Sequence, residues 1–149
     1  MFLGQYTPRL DEKGRLTLPA KYRNDLAEGL VITKGQDRCL TIYPVQEFER
    51  ISRRLRAGAV ARTEIRSFNR VFFASAADDV PDKQGRVMIP EKLRLYAGLD
   101  RDCVVIGNNT TVEVWQPEAW AAFEGPAEEG FADLADLDLP EIDPEVAGP

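Results

Sequence analysis

The sequence contains no histidine and only two cysteines. Without histidine, the chain lacks the most common general base, the usual neutral metal ligand and any catalytic triad that requires an imidazole. Cys39 and Cys103 are 64 residues apart, and this is not the spacing of a zinc site, so we expect two buried, reduced thiols. These absences argue against an enzyme and against a bound metal or other cofactor.

Long apolar runs are also absent. The longest candidate, residues 71–77, is interrupted by Ser75 and falls well short of the roughly 18 apolar residues of a membrane helix. The first ten residues include Gln5, Pro8 and Arg9 and lack the apolar core of a secretory signal. We therefore expect a cytoplasmic protein without a membrane partner.

Charge is distributed unevenly along the 149 residues, whose formal net charge is -6. Residues 1–70 carry 14 basic and 8 acidic side chains, residues 71–117 carry 5 and 7, and residues 118–149 carry 10 acidic and no basic ones. A net negative charge argues against a general polyanion binder, but the basic first half favours an anionic partner for part of the chain.

The chain contains a tandem duplication. Residues 11–23 align with residues 82–94 at a constant offset of 71, and Asp, Gly, Arg, Pro, Lys and Arg recur identically. At an offset of 72, Gly35, Leu40, Ile42, Tyr43 and Phe48 match Gly107, Val112, Val114, Trp115 and Trp120. Two copies with so long a period predict a pseudo-two-fold unit, equivalent to a homodimer fused into one chain.

Each copy is predicted to fold as strand, turn, strand, helix and hairpin. Gly14 and Gly85 are placed where the turn requires a positive φ, and Pro19 and Pro90 suit the first position of a helix. The predicted ranges are 2–10, 11–14, 15–18, 19–28 and 30–43 in the first copy, and 72–80, 82–85, 86–89, 90–97 and 103–115 in the second.

Helices are predicted between and after the copies. The first begins at Pro44 and ends at Gly58, and the second spans residues 62–69 and carries Arg62, Arg66 and Arg70 at intervals of four residues. This stripe indicates an acidic neighbour or an anionic partner, unless the helix is simply solvated. A third helix is predicted over residues 117–123, followed by a largely disordered acidic tail with four prolines.

The duplicated Asp-x-x-Gly-Arg box is the main candidate functional motif. It reads Asp11-Glu12-Lys13-Gly14-Arg15 in the first copy and Asp82-Lys83-Gln84-Gly85-Arg86 in the second. Arginine offers a rigid fork of donors that fits a phosphate or the O6/N7 edge of guanine, and a two-stranded ribbon fits the DNA major groove. The alternative is that each Asp and Arg only pair to stabilise the turn.

These boxes, each followed by a Leu-Pro or Ile-Pro pair, resemble the paired motifs of the MraZ family of bacterial regulators. The resemblance covers about residues 1–123 and includes the start Met1-Phe2-Leu3-Gly4 and the segment Phe68-Asn69-Arg70. It implies an α+β, mainly β fold of two AbrB-like units in a pseudo-dimeric, swapped-hairpin β-barrel with flanking helices. It also implies ring-shaped homo-oligomers that bind short direct repeats in DNA upstream of the division and cell-wall gene cluster.

The resemblance implies DNA contact through the two boxes and a nucleoid-associated location, with double-stranded DNA and other copies of the chain as partners and no small-molecule ligand. The predicted DNA-binding residues are Asp11, Lys13, Gly14, Arg15, Asp82, Lys83, Gly85 and Arg86. The predicted division is a first unit at 1–57, a connecting helix at 58–71, a second unit at 72–123 and the tail at 124–149.

Three other functions remain open from the sequence. One is a ring-forming scaffold in which basic helices bind acidic tails and nucleic acid plays no part. Another is an enzyme with a divalent ion at Asp78, Asp79 and Asp82, although no nucleophile accompanies this cluster. The third is RNA binding, which lacks an aromatic stacking platform because Tyr22 and Tyr96 are predicted on helix faces.

Overall fold

The structure is a computed structural model that describes residues 1–60, 62–134, 137 and 139. Its strands are β1 (Gln5–Tyr6), β2 (Arg15–Thr17), β3 (Leu30–Lys34), β4 (Leu40–Pro44), β5 (Ala77–Asp79), β6 (Arg86–Met88), β7 (Val104–Asn108) and β8 (Thr111–Trp115). Its α-helices are α1 (Ala20–Leu26), α2 (Val45–Ala59), α3 (Thr63–Ser75), α4 (Glu91–Tyr96) and α5 (Pro117–Asp133).

The strands form two antiparallel sheets that obey one pseudo-two-fold relation. The larger sheet has the order β1-β7-β8-β4-β3-β5, and β2 pairs with β6 in a separate two-stranded ribbon. Exchanging each strand for its counterpart in the other copy turns the order β1-β7-β8-β4-β3-β5 into its reverse. The duplication seen in the sequence is therefore also a structural one, and the hairpins of the two copies lie side by side in one sheet of a mixed α+β fold, each flanked by a strand of the other copy.

Buried and more exposed residues alternate along β2 and β6, and this pattern explains how both copies contribute to one core. Leu16 and Leu18 in the first copy, and Val87 and Ile89 in the second, are all buried in a single hydrophobic cluster. A strand of period two places such residues on one face. Pro19 and Pro90 are the N-cap residues of α1 and α4, one position before the first helical position predicted for them.

Both cysteines are buried free thiols, as predicted. Burial raises the pKa of the Cys39 thiol to about 12 and that of the Cys103 thiol to about 11. Both side chains are therefore protonated at neutral pH and serve as small apolar residues.

The prediction of a strand over residues 72–80 is wrong at its beginning, because α3 continues to Ser75 and the strand begins at Ala77. The Phe72 ring stacks on Phe68 and on Phe48, and the Phe72 carbonyl accepts a hydrogen bond from the Thr33 hydroxyl at 2.7 Å. These contacts with α2 and β3 are long-range. They override the local alternation that favoured a strand.

The predicted β-barrel is also corrected, because β1 and β5 lie at opposite ends of the sheet and do not pair. The described residues thus form an open six-stranded sheet with a separate ribbon. Short strands account for the open edges: β1 has only two residues, and the rest of the predicted 2–10 strand makes single bridges, Phe2 with Asn109 and Arg9 with Asp102.

Two helices extend beyond their predicted ends. Helix α2 passes through Gly58 to Ala59, and α5 continues past Phe123 to Asp133 despite Pro126. The Trp120 and Phe123 rings pack against Trp115, and the alanine and glutamate residues that follow have high helix propensity. The remainder of the predicted tail, apart from Leu134, Leu137 and Leu139, lies outside the described residues.

Of the helices described, none is both long and apolar enough to cross a membrane.

Candidate nucleic-acid interface

The β2–β6 ribbon has one buried face and one open face. Leu16 lies opposite Val87, and these inward-facing side chains are 0% and 1% exposed. The outer face consists of the cross-strand pairs Arg15 with Met88 and Thr17 with Arg86. An arginine from each copy therefore stands on the same outward surface, at diagonally opposite corners of a ribbon.

The first turn, residues 11–15, is organised by the carboxylate of Asp11. Its Oδ1 accepts hydrogen bonds from the backbone N–H groups of Lys13 and Arg15, each at 2.9 Å, and its Oδ2 accepts one from Arg15 Nε at 2.7 Å. The same group thus fixes both the backbone of the turn and the direction of the arginine side chain.

The second turn, residues 82–86, repeats this arrangement. Asp82 Oδ1 accepts from the backbone N–H groups of Gln84 and Arg86 at 2.9 Å, and Oδ2 accepts from Arg86 Nε at 2.8 Å. In both turns, Nε is the only guanidinium nitrogen that the aspartate binds. Within the described part of the chain, the terminal guanidinium nitrogens of Arg15 and Arg86 form no hydrogen bond, although both side chains are partly exposed, at 28% and 29%.

The hydrogen bonds keep both aspartates charged. The backbone N–H of Arg15, together with its side chain and the N–H of Lys13, lowers the pKa of Asp11 to about 2. The backbone N–H of Arg86 is likewise the main cause of a lowered pKa at Asp82. Ion pairs this exposed add little stability. Their main effect is to hold each arginine fork in one orientation.

The predicted turn glycines adopt the expected conformation. Gly14 has φ +80° and Gly85 has φ +75°, a region that an L side chain enters only with strain. Lys13 and Lys83 are exposed beside them, and neither has a carboxylate within 4.0 Å among the described residues. The structure thus places the eight predicted site residues at the two ends of one ribbon.

Sequence reasoning missed two further arginines at this surface. A Cβ at Gly14 would overlap the guanidinium of Arg94, and a Cβ at Gly85 would overlap the side chain of Arg23. Each arginine belongs to the copy opposite the glycine that it covers. The signal was present in the sequence, because Arg23 and Arg94 are equivalent positions that recur identically at the offset of 71.

The acidic residues near the second turn do not form a cation site. Asp79 Oδ1 accepts from the Val80 N–H at 2.8 Å, and its Oδ2 accepts from the Met88 N–H at 3.0 Å. Asp82 is bound to Arg86. In the described ranges, no three acidic or thiol side chains converge as metal ligands would.

A second charged surface lies on α2 and α3. Residues 45–75 carry seven arginines and three glutamates, whereas residues 117–133 of α5 carry five acids and no basic residue. Helix α2 follows β4 and α5 follows β8, so the pseudo-two-fold relation places helices of opposite charge at equivalent positions. The helices that follow the two hairpins are therefore chemically unlike.

The chain is similar over most of its length to proteins of one family. The family model described as "MraZ protein, putative antitoxin-like" matches the chain twice, over residues 1–71 and 72–139. Proteins named "Transcriptional regulator MraZ" from Thermobifida fusca and Frankia alni are each 58% identical over 142 residues, covering 95% of this chain and 99% of theirs. One of the same name from Micrococcus luteus is 51% identical over the same shares of both chains. Since the family model spans most of the chain and these relatives align with almost all of it, the chain belongs to the MraZ family.

Proposed function

We propose that this protein is a sequence-specific, DNA-binding transcriptional regulator. The observation that carries the proposal is the β2–β6 ribbon, with Arg15 and Arg86 held at diagonal corners of its open face. The relatives with which the chain shares more than half of its residues are named transcriptional regulators. The similarity to these regulators also supports the proposal that the protein is not an enzyme.

In this proposal, the ribbon enters the major groove with its outer face toward the bases. Each Asp holds its arginine through Nε and leaves the terminal nitrogens for an acceptor, and a guanidinium fork fits the O6 and N7 atoms of guanine. The exposed lysines Lys13 and Lys83 contact phosphates at the edges of the groove, which fixes the register of the ribbon.

The two turns are not chemically identical. Glu12 stands where the second copy has Lys83, and Lys13 stands where it has Gln84. The first turn therefore carries an acidic side chain that the second lacks. We expect the second turn to bind the phosphate backbone more strongly, and the two halves of the ribbon to read unlike sequences.

We also propose that several copies associate head to tail in a ring whose subunits bind short direct repeats upstream of the division and cell-wall gene cluster. The positive α2–α3 pair and the negative α5 offer two unlike, complementary surfaces, and heterologous contacts of this kind close into rings when the rotation permits. The pairing of each hairpin with an edge strand of the other copy agrees with an AbrB-like, swapped-hairpin origin of the fold. A cytoplasmic, nucleoid-associated location follows from the same role.

The same charge pattern supports one competing function, a ring-forming scaffold without nucleic acid. A footprint on the DNA directly upstream of the protein's own gene separates the two. We expect protection of regularly spaced repeats, with an affinity that falls steeply as salt rises, because each neutralised phosphate releases counterions. A purified ring that protects no upstream DNA at low salt would favour the scaffold.

A further inference from the structure

Gly14 and Gly85 are buried, although the turns that contain them, residues 11–15 and 82–86, lie at the ends of an otherwise open ribbon face. We call these two segments the recognition turns. What covers Gly14 is the guanidinium of Arg94, and what covers Gly85 is the side chain of Arg23. Any larger residue at either glycine would displace the arginine. The missing side chain at each turn thus makes room for a cation in addition to permitting the positive φ.

Each covering arginine reaches its turn from the other copy. The Leu18 N–H donates to the Gly85 carbonyl at 2.8 Å, and the Ile89 N–H donates to the Gly14 carbonyl at 3.0 Å. These bonds dock each turn against the strand end of the opposite copy, directly before the helix that carries Arg23 or Arg94. The arginine and the turn are therefore held together by backbone contacts as well as by their own packing.

Among the described residues, no carboxylate neutralises the charge of these two arginines. Arg23 Nε donates to the Leu18 carbonyl at 3.1 Å, an interaction that leaves its terminal nitrogens without a partner in the described residues. Arg94 forms no side-chain hydrogen bond there, and neither arginine has a carboxylate within 4.0 Å among those residues. Both are partly exposed, and a guanidinium remains protonated at any physiological pH.

We propose that Arg94 and Arg23 bind DNA phosphates and complete the two recognition turns, so that each half of the DNA interface is built by both copies. The proposal rests on the proposed DNA-binding function. Arg94 then acts beside Lys13 and Arg15, and Arg23 acts beside Lys83 and Arg86. A phosphate is the expected ligand because the sugar-phosphate backbone borders the major groove and would lie next to the ends of a ribbon inserted there. A guanidinium binds a phosphate through two parallel hydrogen bonds.

The alternative role for Arg94 and Arg23 is to cover the turn and stabilise it, without touching DNA. The two roles differ in a measurable way. A phosphate contact contributes equally to binding of operator and non-operator DNA. When one such contact is lost, the slope of log K against log [salt] becomes shallower by about 0.9. A covering role affects the stability of the fold and leaves the salt dependence unchanged.

The test compares Arg94→Met and Arg23→Met with the wild type and with Arg38→Met as the matched control. Methionine keeps the aliphatic packing and removes the charge. Arg38 is an exposed arginine in the β3–β4 turn, outside both turns of the ribbon, and its guanidinium packs over the Tyr96 ring, a contact that the methionine thioether can replace. Fluorescence anisotropy measures binding to a duplex from upstream of the protein's own gene and to a scrambled duplex, at five salt concentrations, and circular dichroism monitors folding.

We expect Arg94→Met and Arg23→Met to bind the upstream and scrambled duplexes more weakly by similar factors, with a smaller salt slope, while Arg38→Met keeps the wild-type slope. Arg94→Lys and Arg23→Lys retain the charge and should keep most of the slope even where the methionine variants unfold more readily. If the wild type binds DNA and the methionine variants have the same salt slope as the wild type and the lysine variants, the phosphate role is overturned. A wild type with no affinity for either duplex overturns the DNA-binding function itself.

Discussion

Arg15 and Arg86 stand at diagonal positions on the open face of one ribbon, on either side of the buried pair Leu16 and Val87. Diagonal neighbours in an antiparallel pair are about 7–8 Å apart. Each is bound through Nε by the aspartate four residues before it. The duplication of the chain thus places two equivalently held arginines on one surface, from a motif that contains one.

The aspartates are expected to support DNA binding even though they carry the same charge as DNA. In Asp11→Asn and Asp82→Asn, the loss of the carboxylate weakens the hydrogen bond to Arg Nε and the fork becomes less ordered. We expect affinity for the upstream duplex to fall severalfold in each variant, as measured by anisotropy. Glu12→Gln, which removes a neighbouring exposed carboxylate, is the control and should bind at least as well as the wild type. An increase in affinity for Asp11→Asn would mean that net charge outweighs orientation.

The first turn should contribute a specific dependence of stability on pH. The pKa of Asp11 is lowered from 3.8 to about 2 in the folded protein, so its contribution to the free energy of unfolding is fully present above about pH 4 and is lost as the pH falls toward 2. We expect the difference in that free energy between wild type and Asp11→Asn, measured by urea unfolding, to be constant near neutral pH. It should shrink between about pH 4 and pH 2. A difference that stays the same across this interval would contradict the charged-acceptor role of Asp11.

Local features of the sequence were sufficient to predict the two turns. Gly14 and Pro19, with their counterparts in the second copy, act on their own backbone, so the turns and the starts of α1 and α4 follow from nearby residues. Contacts between distant segments were not predictable in this way. The continuation of α3 through Phe72 depends on rings from α2, and the cover on Gly14 depends on an arginine 80 residues away. The pairing of each hairpin with an edge strand of the other copy is likewise a property of the whole chain.

The two unlike surfaces, α2–α3 and α5, should cause head-to-tail association into a closed homo-oligomer larger than a dimer. Multi-angle light scattering at micromolar concentration, in a buffer that supports DNA binding, should give one mass above that of a dimer. Because α2–α3 is positive and α5 is negative, the double variant Arg66→Glu, Arg70→Glu should dissociate more readily than Arg66→Gln, Arg70→Gln. A stable wild-type monomer under these conditions would contradict the ring.

The acidic residues after α5 should compete with DNA for the basic surfaces of the first copy. Residues 134–149 add five acids and no basic residue, and a tethered anionic segment acts at high effective concentration. Because the Debye length is about 8 Å at physiological salt, removal of these residues after Asp133 should tighten binding mainly at low salt, and more for scrambled than for upstream DNA. Oligomerisation should persist.

A full-length chain in which those five acids are replaced by amides is the matched control for the deletion. It should reproduce the effect of the truncation if charge is the cause. Equal affinities of the wild type, the truncated chain and the amide variant at low salt would leave the acidic residues with a role in solubility only.

Arg15→Ala and Arg86→Ala, titrated against the upstream and scrambled duplexes, test the central claim most directly. A bidentate contact to guanine contributes about 1–3 kcal/mol to discrimination between bases. Each variant should therefore lose roughly that amount of binding free energy on the upstream duplex, and less on the scrambled one, while circular dichroism reports an intact fold. Thr17→Ala, on the same face of the ribbon, controls for a general effect of truncating a side chain there. Wild-type affinity and wild-type preference for the upstream duplex in both arginine variants would contradict the assignment of base recognition to the ribbon.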